Sequence, residues 1–236
     1  MRSSSLVPML LLAALARAEE KKAERYPAMA PLEQYRMASA QEEIALARSA
    51  APASISADAE VLVLGKRGYE VAVKGKNGFV CLVQRSWTAG FDDPEFWNPK
   101  LRGPDCLNPP AVRSVLPQYL KRTESVLAGA SKQKLIEEAR AAFASNTFRP
   151  PEAGSFSFML SKNGYLSDDV AGPWLPHVMV FVPQGQAANW GAGLEGSPVF
   201  GANGSPIEPT VLFIPVRQWS DGTPAPAPLE KHAHTP

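Results

Sequence analysis

The chain has 236 residues, of which 45% are hydrophobic, and this length and composition suit one domain with a single core. Its 24 basic and 23 acidic residues give a formal net charge of +1. That balance excludes the basic footprint that a nucleic acid or an anionic membrane surface requires, so we expect neither as a partner.

The first eighteen residues have the three regions of a secretory signal peptide. Arg2 precedes an apolar run at 6–16, and Ala16 and Ala18 have the spacing of small residues at a cleavage site. The run is too short for a membrane anchor, which needs about 20 apolar residues. We expect export to the periplasm or the extracellular space, removal of residues 1–18, and no stable membrane insertion afterwards.

The segment before the first strands divides into two parts. Residues 19–30 are charged and then rich in Pro and Ala, and are expected to be a flexible lead-in. Between Met37 and Ala51, small and apolar residues recur at spacings of three and four. This period predicts an amphipathic helix within 31–51 that ends before Pro52.

Three short runs rich in Val, Leu, Tyr and Phe follow at 60–64, 69–74 and 78–84. Glycine-containing turns separate them, and Asn77-Gly78 favours the positive φ angles of a tight hairpin turn. The pattern predicts an antiparallel three-stranded meander.

The two cysteines of the chain are Cys81 and Cys106. In an oxidising compartment we expect them to form a disulfide that closes a loop of about 25 residues. The alternative is a small core residue at Cys81 and a free loop thiol at Cys106. The enclosed segment 87–105 is predicted to be irregular.

Two helices and a second group of strands complete the domain. A helical period runs over 115–127, and Ser131 is a suitable N-cap for a second helix that includes Phe143. Strands are predicted at 155–160, 178–182 and 211–216. The sum is an α+β domain over 31–220, with an antiparallel sheet built from the meander and later strands and two or three helices packed on one face. Residues 221–236, rich in Pro and Ala, are expected to be a disordered tail.

Residues 191–196 match the glycine pattern of a dinucleotide-binding turn. The mechanism needs a strand before the first glycine and a helix after it, whereas a polar loop precedes this segment and Ser197-Pro198 opposes a helix. We interpret the segment as a glycine-rich loop, and the sequence predicts no cofactor.

A histidine and nearby carboxylates form the one candidate catalytic group. His177 opens a predicted strand, and Asp168 or Asp169 lies close enough in sequence to orient its imidazole as a general base. The alternative is a strand-end histidine that contacts only local backbone.

Metal binding is not expected. His232 and His234 lie in the predicted tail and lack fixed further ligands, while the acidic residues at 92–95 lack the spacing of a calcium loop.

All five tryptophans fall outside the predicted helices. We take four of them, Trp87, Trp97, Trp174 and Trp190, as candidate contacts for a protein, peptide or glycan ligand. The alternative is that they fold back as lids on the core.

The sequence therefore favours an exported, non-catalytic module that binds a ligand or partner through loop aromatics. Two other hypotheses remain open: a small secreted hydrolase that uses His177 with Asp168 or Asp169, and a structural component of the cell envelope or surface.

Overall fold

The structure, a computed structural model, describes residues 25–169, 174–201, 203 and 207–226. The predicted signal peptide, residues 19–24 of the lead-in and residues 227–236 of the tail, with His232 and His234, lie outside the described residues. The predictions for these segments stay predictions.

The described residues confirm the α+β class. The helices are α1 (Ala40–Arg48), α2 (Ala53–Ser56), α3 (Pro109–Ser114), α4 (Leu116–Leu127) and α5 (Lys132–Ala144), and short 3-10 turns lie at Leu32–Tyr35, Ser86–Thr88 and Ala187–Trp190. The strands are β1 (Glu60–Leu64), β2 (Tyr69–Val73), β3 (Val80–Gln84), β4 (Gly103–Leu107), β5 (Phe156–Met159), β6 (His177–Val182) and β7 (Thr210–Pro215).

The seven strands form one sheet in the order β2-β1-β3-β4-β5-β6-β7. All neighbours are antiparallel except β1 and β3, which run parallel. The predicted meander is therefore wrong at its second step, because β3 pairs with β1 and not with β2. Burial explains the difference: all five residues of β3 are buried, whereas Glu70, Val71 and Ala72 of β2 are exposed, as suits an edge strand.

The turn predicted at Asn77-Gly78 is present without the hairpin. Gly78 has a φ of +78°, and the Asn77 side-chain oxygen accepts a hydrogen bond from the Phe79 amide at 3.1 Å. The Lys76 amide donates to the Asp58 carbonyl at 2.8 Å, which directs the chain past the start of β1.

Strand β4 lies inside the segment predicted to be irregular. Its sequence Gly-Pro-Asp-Cys-Leu contains three residue types that are depleted in strands, so propensity gives no signal for it. Pairing with β3 and β5 makes it a strand. Cys81 and Cys106 face each other across β3 and β4 and form the predicted disulfide.

Helices cover both faces of the sheet. On one face, α3 and α4 pack with Leu82 and Leu107, and α5 packs beside α4. On the other face, α1 packs on a cluster that includes Val61, Cys81 and Val83. The prediction placed helices on one face only. Because the central strands are apolar on both sides, a second layer is needed to exclude water.

Candidate functional site

His177 is the first residue of β6 and is buried. Its Nδ1 lies 2.8 Å from the Leu175 carbonyl oxygen, so Nδ1 carries the proton and donates the hydrogen bond. Its Nε2 is buried and has no hydrogen-bond partner among the described residues. Burial lowers the pKa of the imidazole, which keeps the ring neutral at pH 7.

Asp168 and Asp169 belong to a different polar group. Asp168 accepts hydrogen bonds from the Tyr165 and Tyr26 hydroxyls, and these lower the pKa of its carboxyl to about 2. Asp169 pairs with Arg25 at 2.5 Å. No hydrogen bond joins either carboxylate to His177 within the described part of the chain, so the structure does not assemble the predicted pair.

The four candidate tryptophans separate into two pairs. Trp87 and Trp97 lie in the core, where the Trp87 indole donates to Thr123 Oγ1 at 3.0 Å. Trp174 and Trp190 are 38% and 44% exposed. Trp174 contacts His177 at the start of β6, whereas the turn that ends at Trp190 packs beside Val182 at the other end of that strand. The two exposed indoles therefore do not form one surface, and ligand binding by either stays a prediction.

The glycine-rich segment 191–196 has no helix after it. The 3-10 turn that precedes it ends at Gly191, whose φ is +66°, and turns and a bend follow until Phe200, which forms an isolated bridge with Phe213. The geometry that a dinucleotide would need is missing from these described residues.

A cleft that the sequence analysis did not predict lies between α4 and the strands β6 and β7. Its volume is about 220 Å³. One wall is a single face of the helical region, because the residues that line it there follow the helical pattern i, i+3, i+4, i+7. Phe181, Val211 and Phe213 form the strand wall, since Phe181 pairs with Val211 and Phe213 with Met179 on the same face of the sheet. The helical wall consists of Val115, Gln118, Tyr119 and Arg122.

An ion pair closes one side of the cleft. Arg122 Nη2 donates to Glu208 Oε1 at 2.8 Å, and Arg122 Nη1 donates to the Ala89 carbonyl at 2.8 Å. The guanidinium lies 4.1 Å from the centre of the Phe91 ring, and the Phe91 amide donates to Glu208 Oε2 at 3.2 Å. Both charges are satisfied within the protein, so they shape the cleft and leave its interior without net charge.

A buried polar chain links the rim of the cleft to the centre of the sheet. Thr88, on the rim, donates to Gln84 Oε1 at 2.8 Å, and Gln84 Nε2 donates to Asp105 Oδ2. Burial raises the pKa of the Asp105 carboxyl to about 7. Burial also raises the pKa of the Tyr119 hydroxyl, so this hydroxyl stays protonated and keeps a hydrogen to donate.

The described residues lack two further features, a metal-binding cluster of His, Cys, Asp and Glu side chains and a membrane-spanning helix. They contain no group of three His, Cys, Asp or Glu side chains that could hold a metal ion. Among them, no helix has both the length and the apolar composition needed to span a bilayer.

In comparisons with protein-family models, curated proteins and solved structures, this chain has no match. The cleft must therefore be interpreted from its own geometry.

The sequence carried a partial signal for the cleft, namely the helical period that places Val115 and Tyr119 on one face. Nothing in the sequence showed that this face would leave space above β6 and β7.

Proposed function

We propose that this protein is an exported, non-catalytic module that binds a small, uncharged ligand in the cleft between α4 and β6–β7. The observation that carries the proposal is the cleft itself. Concave sites with mostly apolar walls and a few polar groups are the usual form of small-molecule sites. Here Phe181, Phe213 and Val211 are the apolar walls, and Gln118 and Tyr119 are the polar groups.

The size and charge of the cleft indicate the class of ligand. An apolar cavity of about 150 Å³ is known to hold benzene, so about 220 Å³ suits one substituted ring. A charged ligand is disfavoured because the guanidinium of Arg122 is already paired with Glu208. Tyr119 is a hydrogen-bond donor, and the Gln118 carboxamide donates to the Ser114 carbonyl at 3.1 Å and has an acceptor oxygen in addition. These groups suit one hydroxyl or carbonyl substituent on the ring.

Titration with ring compounds tests this proposal. We expect phenol or benzyl alcohol to bind the mature protein and to shift the NMR signals of residues that line the cleft, while benzoate and benzylamine bind at least about tenfold more weakly because of the cost of burying a charge.

A matched pair of valine variants tests the location of binding. Val211→Phe fills the cleft and should abolish binding of the ring compounds, whereas Val71→Phe, at a valine that is 54% exposed on the edge strand, should not. Equal affinity in both variants, or no binding of any ring compound to the parent protein, would contradict the proposal.

Export is part of the proposal and has its own support. The disulfide between Cys81 and Cys106 suits an oxidising compartment, as the signal-like leader does. We expect the exported fraction to contain a chain that begins near residue 19 and has both cysteines oxidised. N-terminal sequencing and non-reducing electrophoresis check this, and a full-length, reduced chain in the cytosol would overturn it.

The hydrolase hypothesis has less support than the binding hypothesis. A general base needs an orienting carboxylate, and the hydrogen bond that His177 makes is to the Leu175 backbone.

Binding of a protein, peptide or glycan through exposed Trp174 or Trp190 is the second candidate function, because these indoles present apolar surface to solvent. Replacement of each by Ala would reveal it as a loss of partner binding with the cleft affinity unchanged.

A further inference from the structure

A second, much smaller cavity lies at the end of the sheet where β6 begins. Met159, Ser161, Trp174 and His177 are among its lining residues, together with Pro104, Gly164 and Leu166. Its volume is about 10 Å³, which is room for one water molecule or one ion.

Two residues with soft or borderline donor atoms line this cavity. Met159 of β5 and His177 of β6 are direct cross-strand partners. Directly opposed residues point to the same face of a sheet, with Cβ atoms about 4.5–5.5 Å apart. The two residues are 8% and 4% exposed, so neither is hydrated as a free surface side chain would be.

The imidazole of His177 is oriented by a hydrogen bond from its second ring nitrogen, as the imidazoles of metal-binding histidines are. Its Nδ1–H donates to the Leu175 carbonyl, which fixes the tautomer and leaves the lone pair on Nε2. Nε2 is buried and has no hydrogen-bond partner in the described part of the chain, and a buried acceptor in that state is costly unless something binds it.

We propose that His177 Nε2 and Met159 Sδ bind a copper(I) ion in this cavity. A thioether is a soft ligand that selects copper(I), and imidazole is also suited to copper. Calcium and magnesium need several oxygen ligands, and structural zinc needs four ligands. The described residues that line this cavity do not provide either set.

The surroundings of the pair favour a soft cation. Trp174 lines the same cavity, and an indole ring attracts a cation through its π-system. The Ser161 hydroxyl, which also lines the cavity, is hydrogen-bonded to the Ser49 hydroxyl, with the two oxygens 2.6 Å apart. Cys81 and Cys106 are joined to each other, so no thiolate competes for the ion.

The test is copper(I) binding by the exported protein carrying His232→Gln and His234→Gln, which removes the tail histidines as a second source of ligands. Copper(I) is supplied with ascorbate under anaerobic conditions, and a chromophoric copper(I) chelator competes for it. We expect one ion per chain, and at least a tenfold loss of affinity in Met159→Leu and in His177→Gln. Met37→Leu, a methionine that packs on the opposite face of the sheet, is the matched control and should bind as the parent does.

X-ray absorption of the copper-loaded protein supplies a readout other than affinity. We expect both sulfur and nitrogen neighbours of the ion, and the sulfur signal should disappear in Met159→Leu, a volume-conserving change that the core tolerates. No binding by the parent protein, unchanged binding in Met159→Leu, or a copper site without sulfur would each overturn the proposal.

Discussion

At the scale of single residues, the most demanding feature is the buried charge of Arg85. This side chain has no exposed surface; its Nη2 donates to Glu43 Oε1 at 2.9 Å and its Nε donates to the Tyr35 carbonyl at 2.7 Å. Glu43 Oε1 also accepts from the Leu64 amide at 3.1 Å. These contacts join α1, the sheet and the turn at Leu32–Tyr35, so the ion pair specifies how the elements dock.

Loss of one partner of this pair should be severe. We expect Glu43→Ala to lower the free energy of unfolding by about 3–5 kcal/mol, because Arg85 would remain buried without its counter-charge. Glu42→Ala, at the exposed neighbour on the same helix, is the control and should cost less than about 1 kcal/mol. Urea unfolding monitored by tryptophan fluorescence measures both, and similar values for the two variants would show that the buried pair is not structurally important.

Asp105 should make stability depend on pH. Its carboxyl pKa is raised from the ordinary 3.8 to about 7 in the folded protein, by burial. Below pH 4 the group is protonated in both states. Between pH 4 and 7 the unfolded chain loses the proton first, so the free energy of unfolding falls as pH rises, by about 4 kcal/mol in all. Above pH 7 this cost stays constant.

In the variant Asp105→Asn, the free energy of unfolding should not show the fall between pH 4 and pH 7 that Asp105 causes. Relative to the parent protein, the variant should become progressively more stable between pH 4 and pH 7, as measured by urea unfolding at several pH values. Asp92→Asn, at an exposed aspartate, is the control and should follow the parent curve. Parallel curves for Asp105→Asn and the parent would mean that Asp105 ionises freely in the folded state.

At the scale of elements, the pairing of β3 with β4 organises the sheet. The five residues of each strand are buried, and the pair runs in unbroken antiparallel register from Val80↔Leu107 to Gln84↔Gly103. Because β4 has weak strand propensity, its conformation depends on this pairing and on the disulfide that crosses it.

Removal of the disulfide should test that dependence. For a closed loop of about 25 residues, the chain-entropy model gives about 3.5 kcal/mol of stabilisation. We expect the double variant Cys81→Ala/Cys106→Ala to unfold at lower urea concentration by an amount that corresponds to about 3 kcal/mol. An unchanged midpoint would mean that the strand pairing alone holds β4 in place.

At the scale of the whole molecule, segments near both ends of the described chain pack against the body. Tyr26 donates to Asp168, and Arg25 pairs with Glu95 at 3.1 Å. Near the other end, Asp221 pairs with Lys162 at 2.7 Å, and Trp219 is buried.

Proteolysis should report the strength of the first of these contacts. Asp168→Asn removes the negative charge of the side chain that accepts hydrogen bonds from the Tyr26 and Tyr165 hydroxyls. We expect trypsin to cleave after Arg25 about tenfold faster, because a hydrogen bond to a charged group is lost. The control Asp92→Asn should leave the rate unchanged. An unaltered rate in Asp168→Asn would show that other contacts hold this segment.

The sequence by itself determined the local elements and the pairing of the cysteines. Helices α4 and α5 and strands β1, β2, β3, β5, β6 and β7 follow patterns that neighbouring residues create, such as the helical period at 115–127 and the apolar run at 211–216. With only two cysteines in the chain, a disulfide had only one possible pairing.

The tertiary structure alone decided the parallel pairing of β1 with β3, the conversion of Gly103–Leu107 into a strand, and the placement of helices on both faces. It also created the cleft and the small cavity that Met159 and His177 both line. These features depend on contacts between residues far apart in the chain, and local patterns of hydrophobicity and turn chemistry carry no information about which distant elements meet.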